Sequence, residues 1–417
     1  MVKKKPPLSL FVFIDALGWE ILKNHPDFLK DEMDIRKPLN TIFGYSSTCD
    51  PTIITGLMPR DHGHFSFFYY NPEASPFGVL RPLGLLPRSI TRRGRVRRIL
   101  SRMIKRYYGY TGYFQIYNMP FNRLHLFDYS EKNDLYEPGG INNGQRTIFD
   151  HLRDNHIPFA MSDWRRDEEF NLGAMEETFR KGEVRFAYLY LAAMDAVLHA
   201  RGSRAQEVSD KMAWYDTRLR HLFDVAKRSY SDVRIHVFSD HGMTDTVAEF
   251  DLIRRIEALD LAFGADYAAV YDSTMARFWF LRAGTREAVT RVLETTEAAS
   301  AGRILDEATL REWGVDFPGR TYGELFFLMN PGVLLNPSYM GETRLEGMHG
   351  FEPHHKDSVA AIMSNSSPGK GAELPEGLED MYSLMRRECD RVSEDLQPGL
   401  AGVSVQFPEV AYDSRIG

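Results

Sequence analysis

The chain has 417 residues, with 51 basic and 58 acidic side chains and a formal net charge of −7. Hydrophobic residues make up 43% and charged residues 26%, which excludes wholesale disorder, a collagen-like fibre and a coiled coil. Only two cysteines are present, Cys49 and Cys389, too few for a disulfide framework or a cysteine-based zinc module. The mild acidity gives no reason to expect nucleic-acid binding.

The first residues place basic side chains before an apolar run, as a signal peptide does. The run at 8–14 is short, however, and it ends at Asp15 without a small-residue cleavage site. No apolar stretch reaches the roughly 18 residues that span a bilayer. We therefore expect a cytoplasmic protein, and the sequence gives no indication of its oligomeric state.

Strand-like and helix-like segments alternate along much of the chain. Residues 8–14 form a continuous apolar run, which is typical of a strand buried on both faces of a parallel sheet. Further strands are predicted at 157–164, 184–191, 234–238 and 358–363, and helices at 17–30, 145–155, 205–228 and 378–395. This alternation predicts an α/β fold with a doubly wound, mostly parallel sheet flanked by helices.

Two segments interrupt the alternation. Residues 64–140 are rich in aromatic side chains and contain a strongly basic run, and we interpret them as an inserted cap. Residues 249–339 carry mixed helix and strand signals, typical of a smaller α+β subdomain. The catalytic α/β core is then expected to comprise 1–63, 141–248 and 340–417.

Carboxylates and imidazoles lie near the ends of the predicted strands, at the edge where open α/β sheets bind ligands. The six candidates are Asp15, Asp195, His199, Asp240, His241 and His349. Mixed Asp/His sets suit zinc, or manganese in its place, and two such ions can clamp the attacking and leaving oxygens of a phosphoryl transfer. Each residue alone has an ordinary structural explanation, as a helix cap or a surface pair. The set as a whole indicates a metal site.

A candidate nucleophile lies in the hydroxyl-rich residues 44–52. Asp50-Pro51 predicts a helix start, with Pro at an early helical position. A hydroxyl just before a helix N-terminus lies near positive backbone dipoles, which favour a phosphate. Ser/Thr clusters before helices more often serve as caps, so this signal alone does not decide between the two roles.

Taken in order, these residues resemble the alkaline phosphatase superfamily, and most closely its nucleotide pyrophosphatase/phosphodiesterase branch. The strings that carry the resemblance are Thr55-Gly56-Leu57-Met58-Pro59 with His62-Gly63, and Ser239-Asp240-His241-Gly242-Met243. The branch places a Thr or Ser nine residues before the first threonine of this string, which is Ser46 here. The resemblance implies one metal site formed by Asp195, His199 and His349. It implies a second formed by Asp15, Asp240, His241 and Ser46, the catalytic nucleophile.

The chain departs from the family pattern near this nucleophile. The family often has an Asn three residues after it, where this chain has Cys49. Ser47 and Thr48 remain alternatives to Ser46, and His62 is expected to be structural.

The resemblance implies a metal-dependent hydrolase that cleaves phosphodiester or pyrophosphate bonds through a phosphoseryl intermediate, with two divalent ions, zinc or manganese. The expected substrate is a small phosphodiester or nucleotide. The alternatives are a phosphomonoesterase or phosphotransferase of the same superfamily, or a non-catalytic binding member. The aromatic side chains at 65–70 are candidates to stack on a base or sugar.

Residues 88–106 carry nine Lys or Arg and no acidic residue. A helix here places seven apolar side chains on one face: Val96, Ile99, Leu100, Met103, Ile104, Tyr107 and Tyr108. Either this face packs on the core and the arginines are solvated, or the segment contacts a membrane surface or an anionic substrate. The first interpretation is favoured by the frequency of amphipathic core-packing helices.

Overall fold

The computed structural model describes residues 5–85, 87, 91–367 and 373–394, together with the backbone of 404–406. It separates into two compact units. Unit 1 comprises Met1–Thr41, Thr147–Met243 and Lys356–Gly417, and unit 2 comprises Ile42–Arg146 and Thr244–His355. The three-part division expected from the sequence stays a prediction.

The strands, in chain order, are β1 Pro7–Ile14, β2 Ile35–Leu39, β3 Phe68–Tyr70, β4 Phe127–Tyr129, β5 Phe159–Met161, β6 Phe186–Leu191, β7 Asp232–Phe238, β8 Thr244–Asp245, β9 Ala248–Phe250, β10 Tyr267–Tyr271, β11 Met275–Phe280, β12 Gly302–Ile304, β13 Leu325–Met329, β14 Val333–Leu335, β15 Gly347–Met348, β16 Ala360–Ser364 and β17 Ser404–Gln406.

The α-helices are α1 Trp19–Lys23, α2 Ser46–Thr55, α3 Pro59–His62, α4 Gly94–Tyr108, α5 Phe121–Leu124, α6 Ile148–Asp154, α7 Glu168–Lys181, α8 Ala193–Arg201, α9 Gln206–Ser229, α10 Leu252–Glu257, α11 Thr285–Leu293, α12 Thr296–Ala301, α13 Glu307–Glu312 and α14 Met381–Ser393. Short 3₁₀ helices cover Gly78–Leu85, Pro318–Arg320 and Leu378–Asp380. Among the described residues, no helix combines the length and the apolar character that crossing a bilayer requires.

Unit 1 contains a seven-stranded sheet in the order β17-β5-β6-β1-β7-β16-β2. The first five of these strands pair in parallel, and β16 is antiparallel to both of its neighbours. The predicted α/β fold with a mostly parallel sheet is therefore confirmed. Strand β1 lies at the centre, and every residue from Leu8 to Ile14 is buried, as the continuous apolar run requires.

The register of the central strands brings their carboxyl ends to one edge. Phe13 of β1 pairs with Tyr190 of β6 on one side and with Phe238 of β7 on the other. Residues that follow these three strands therefore begin at the same level of the sheet. Asp15, Ala192 and Ser239 are the first non-strand residues after β1, β6 and β7.

Unit 2 contains a four-stranded antiparallel sheet in the order β10-β11-β13-β12, and three two-stranded ladders. Its core is rich in aromatic side chains, and two of its buried clusters include Phe68 and Tyr129, and Phe43 and Phe65. Within this apolar core lies one fully buried cation, Arg277, on β11. Its burial could not be predicted from the sequence, because a lone Arg in a strand is ordinarily at the surface.

Arg277 can be buried because all three nitrogens of its guanidinium donate hydrogen bonds. Its Nε donates to Asp272 at 3.0 Å, and its other nitrogens donate to the Ser66 hydroxyl and to the Phe68 and Tyr322 carbonyls. Burial raises the pKa of Asp272, and the charge of Arg277 opposes that effect. The pair therefore ties β11 to the loop after α3, and loss of either partner leaves an uncompensated buried charge.

We predict that Arg277→Ala lowers the free energy of unfolding by about 3–5 kcal/mol, because Asp272 is left buried without its partner. Arg282→Ala is the matched control, since Arg282 is 62% exposed and pairs with Asp266 at 3.0 Å. The control should cost about 1 kcal/mol or less. Denaturant unfolding measures both, and equal losses would contradict this role of the buried pair.

Candidate active site

Asp15 lies directly after β1, at the centre of the carboxyl edge of the sheet in unit 1, and is only 5% exposed. The Tyr190 hydroxyl donates to its Oδ2 at 2.6 Å. Its Oδ1 lies 3.6 Å from Nε2 of His241. The central strand thus delivers a buried carboxylate with one oxygen held in place and the other directed toward an imidazole.

Asp240 and His241 follow β7, the neighbour of β1. The backbone N–H of Ala16 donates to Asp240 Oδ1 at 3.2 Å, and the Thr41 hydroxyl donates to the Asp240 carbonyl at 2.7 Å. Nδ1 of His241 lies 2.9 Å from the Gly242 carbonyl, and a proton on Nδ1 satisfies that acceptor. In that tautomer Nε2, which lies 3.1 Å from Asp240 Oδ2, is the nitrogen available to a ligand.

Asp195 and His199 lie one turn apart on α8, which begins two residues after β6 ends. Asp195 Oδ1 is 3.2 Å from Nε2 of His199, so the helical spacing places both on one face, as predicted. One ligand-type atom from each of Asp15, Asp195 and His241 lies within 4.8 Å of the other two. Unit 1 therefore brings five of the predicted site residues to one edge.

The electrostatics of this edge are unfavourable without a cation. Burial raises the pKa of Asp15 well above its ordinary value, and the charges of Asp240 and Asp195 raise it further. Burial alone would lower the pKa of His241, but Asp240 and Asp15 outweigh that effect and raise it to about 10. The carboxylates repel each other and attract positive charge.

Two glycines allow the loops of this edge to approach closely. A Cβ on Gly242 would lie 2.2 Å from the Asp357 carbonyl oxygen, and a Cβ on Gly18 would lie 2.3 Å from the Gly242 Cα. Only glycine fits at either place. The glycine that follows Asp240-His241 in the sequence string is therefore explained by backbone packing.

Ser46 belongs to unit 2, where it is the first residue of α2. The helix was expected to begin at Asp50-Pro51, and that expectation is wrong. The N–H groups of Thr48 and Cys49 already donate to the Tyr45 carbonyl, at 2.7 and 3.0 Å. Pro51 thus lies inside a ten-residue helix, and Ser46 occupies its N-terminus.

The two hydroxyls next to Ser46 in the sequence form hydrogen bonds with the backbone. Ser47 and Thr48 are buried, and both donate to the Phe65 carbonyl, Ser47 at 3.1 Å. Ser46 is the partly exposed hydroxyl of the three. The geometry of unit 2 therefore distinguishes Ser46 from the two alternatives that the sequence left open.

His349, also in unit 2, follows β15 and packs edge-on against the Tyr45 ring, with centroids 5.8 Å apart. The Thr274 hydroxyl bonds the Tyr45 hydroxyl and the Gly350 carbonyl, both at 2.8 Å. Gly350 has φ +82°, and a Cβ there would lie 2.6 Å from the Tyr45 ring. This contact set, which the sequence did not reveal, fixes the His349 loop against the residue before Ser46.

His62, a further residue of the family string, packs within unit 2. His62 is buried, with Nε2 3.0 Å from the Thr52 hydroxyl, and burial lowers its pKa well below its ordinary value. This agrees with its expected role.

The expectation that the aromatic run 65–70 stacks on substrate is wrong for Phe65 and Phe68. Both are fully buried in the core of unit 2, where apolar burial outweighs any contribution to a binding surface.

A cavity of about 360 Å³ in unit 1 was not predicted from the sequence. Trp164, Tyr190 and Trp214 line it, and Tyr190 also holds Asp15. Glu168 on its wall accepts the Ala193 N–H at 2.9 Å and the Tyr215 hydroxyl at 2.7 Å. One sequence signal pointed to Tyr190, which is the last residue but one of the predicted strand 184–191. In the structure it pairs with Phe13, two residues before Asp15.

The mostly parallel sheet gathers buried carboxylates and imidazoles at its carboxyl edge, which agrees with the resemblance to the alkaline phosphatase superfamily. Residues 10–352 match the family model described as type I phosphodiesterase / nucleotide pyrophosphatase. The chain belongs to this family, and it is an enzyme of the phosphodiesterase and nucleotide pyrophosphatase type. No curated protein matches it significantly.

Solved structures of ectonucleotide pyrophosphatase/phosphodiesterase 5 are similar to it in fold. The murine protein, as an inactive variant in complex with AMP, is 16% identical, with 92% of this chain and 95% of that chain covered and a TM-score of 0.64. The human protein is 14% identical with the same coverage and a TM-score of 0.64. The likeness supports the α/β fold over 92% of the chain.

We predict that Gly242→Ala destabilises the protein by about 2 kcal/mol or more, because the new Cβ displaces the Asp357 backbone or the site loop. Gly173→Ala is the control, since no atom lies within 4 Å of its Cβ and it occupies the middle of α7. That control should stabilise by about 0.5–1 kcal/mol. Thermal unfolding of both variants tests the close approach, and a neutral Gly242→Ala would contradict it.

Proposed function

We propose that this enzyme hydrolyses a phosphodiester or pyrophosphate bond of a small nucleotide-type substrate, with Ser46 as nucleophile and two divalent ions as cofactors. The observation that carries the proposal is the convergence of Asp15, Asp195 and His241 at the carboxyl edge of the sheet in unit 1. The family match supports phosphodiester hydrolysis by the same chain.

The residues present fit divalent ions. Within the described residues, the buried Oδ1 of Asp15 has no hydrogen-bond partner, and Oδ2 of Asp240 lies 3.1 Å from Nε2 of His241. Oxygens of this kind, next to an imidazole, are the donors that zinc and manganese accept. Asp15, Asp240 and His241 would hold one ion, and Asp195 and His199 would contribute to the second. The family resemblance adds Ser46 and His349 to the ligand set.

When bound, such ions neutralise phosphate charge and lower the pKa of a hydroxyl or water close to them. The chain itself supplies positioning. The Ser46 Oγ forms a bond to phosphorus as the bond from phosphorus to the leaving oxygen breaks, which gives a phosphoseryl intermediate that water then hydrolyses. The positive end of α2 favours the phosphate, because Ser46 occupies the first helical position.

The substrate class is supported by the cavity beside Asp15. Trp164, Tyr190 and Trp214 present aromatic surface of a kind that stacks on a base or sugar. The cavity of about 360 Å³ suits a small ligand. The murine structure of similar fold contains AMP, which is the type of molecule we propose for this cavity.

For the nucleophile, we predict that Ser46→Ala lowers kcat by about 10⁴-fold or more, because deleting a covalent nucleophile removes the main route of reaction. Ser47→Ala and Thr48→Ala should each retain most of the turnover per folded molecule, because their hydroxyls donate to the Phe65 carbonyl. Single-turnover kinetics with a chromogenic diester measures all three. An active Ser46→Ala beside an inactive Thr48→Ala would move the nucleophile two residues along the chain.

For the substrate, we predict a higher kcat/KM for an aryl or nucleotide diester than for the matching monoester. A phosphate monoester carries one more negative charge than a diester, so its enzymes need additional positive charge at the site. This chain has Cys49 where the family often has a polar residue near the nucleophile, which favours the less charged diester. Steady-state assays with paired substrates decide this. A tenfold preference for the monoester, about 1.4 kcal/mol, would favour a phosphomonoesterase instead.

A further inference from the structure

The helix α4 of unit 2 packs only part of its apolar face on the core, where Ile104 is buried and Leu100 is partly buried. Ile99, Met103 and Tyr107 are 50%, 61% and 80% exposed, one on each successive turn. In the described part of the chain, six of the eight large apolar side chains that are exposed lie between residues 79 and 108. The favoured interpretation of the sequence, an ordinary core-packing helix, is therefore wrong for these side chains.

Polar contacts explain why the helix is rotated this way. Arg97 is buried, donates to the carbonyls of Thr91, Tyr117 and Met119 at 2.6–2.8 Å, and lies over the Phe121 ring. Ser101 accepts a hydrogen bond from the Ile116 N–H at 3.0 Å. These bonds anchor the face that carries Arg97 and Ser101 and leave the opposite face toward solvent.

The outward face is cationic as well as apolar. Arg95, Arg102 and Arg106 are exposed on it, and no acidic residue occurs anywhere in α4. The structure gives these three arginines no ion pair with any described residue. Arg88, at the start of the basic run, lies outside the described residues.

We propose that this outward face, formed by Arg95, Ile99, Arg102, Met103, Arg106 and Tyr107, binds the surface of an anionic lipid bilayer. Arginines reach the headgroup phosphates, while the three apolar side chains enter the boundary between headgroups and acyl chains. Tyrosine is a side chain favoured at that depth. A soluble polyanion matches the arginines alone, and it leaves Ile99, Met103 and Tyr107 as exposed as before. The apolar stripe therefore favours the bilayer.

The test is sedimentation of the full chain with vesicles of phosphatidylcholine, with or without phosphatidylserine. We expect binding to the anionic vesicles at least tenfold stronger than to phosphatidylcholine alone. The triple substitution Arg95→Gln, Arg102→Gln, Arg106→Gln should weaken it about a hundredfold, since each arginine near an anionic surface contributes roughly fivefold. High salt should also weaken binding to the anionic vesicles, because it screens the charge of the arginines.

The second variant replaces the apolar stripe by Ile99→Ser, Met103→Ser and Tyr107→Ser, and should weaken vesicle binding at least tenfold. Its control is Val247→Ser with Leu281→Ser and Arg291→Gln, exposed residues of unit 2 outside α4, which should bind as the unaltered chain does. Hydrolysis of a soluble diester verifies that each variant is folded.

Three results would overturn the proposal. The first is no sedimentation with either vesicle, and the second is equal binding to both. The third is full binding by the serine variant with loss in the arginine variant alone. Retention on heparin with that third pattern would identify the face as a polyanion site.

Discussion

The structure of unit 1 depends on one electrostatic constraint, the packing of three carboxylates at the buried end of the central strands. Two unit charges about 4 Å apart repel by about 4 kcal/mol at an effective dielectric constant near 20. A protein whose whole stability is about 5–15 kcal/mol carries such repulsion only where a compensating charge is available. The neighbours of Asp15, Asp195 and Asp240 are His241 and His199. Two imidazoles cannot balance the negative charge of three carboxylates. Divalent ions would supply the missing charge, which is why we place them at the centre of the proposed function.

The surrounding backbone serves to hold this arrangement. Tyr190 fixes one oxygen of Asp15, and the N–H of Ala16 fixes one of Asp240. Ala16 adopts a positive φ of 62°, a conformation that costs a non-glycine residue about 1 kcal/mol or more. Strain of this kind next to a buried carboxylate is typical of a site whose geometry is set by function. In unit 2 a separate device, built on Tyr45 and Thr274, holds the residues around Ser46 and His349.

Much of unit 1 could be predicted from the sequence, because its information is local. The apolar run at 8–14 identifies a central strand, and the positions just after three strands identify Asp15, Asp195 and Asp240. The parts that could not be predicted depend on hydrogen bonds that residue types alone do not reveal. Pro51 indicates a helix start locally, yet α2 begins earlier because the Tyr45 carbonyl is capped by the N–H groups of Thr48 and Cys49.

The same reasoning explains the other differences. The rotation of α4 is set by hydrogen bonds from Arg97 to carbonyls about 20 residues away, so a helical wheel of the apolar residues does not show that Ile99, Met103 and Tyr107 are exposed. Arg277 can be buried because four acceptors from three segments of unit 2 surround its guanidinium. Periodicity reports which faces are apolar, and it does not report which polar groups are saturated elsewhere in the chain.

The central claim is that divalent ions stabilise the carboxylate edge, and the thermal unfolding midpoint of the chelated protein titrated with zinc or manganese tests it most directly. The account predicts a rise of several degrees, because an ion at about 100 times its Kd adds about 2.7 kcal/mol to the folded state. In chelator, the unfolding midpoint of Asp15→Asn should be no lower than that of the unaltered chain, since a repulsive charge is removed. With the ion present, the midpoint of Asp15→Asn should be clearly lower than that of the unaltered chain. A midpoint that no divalent ion moves, or an Asp15→Asn deficit that is the same with and without the ion, would contradict the account.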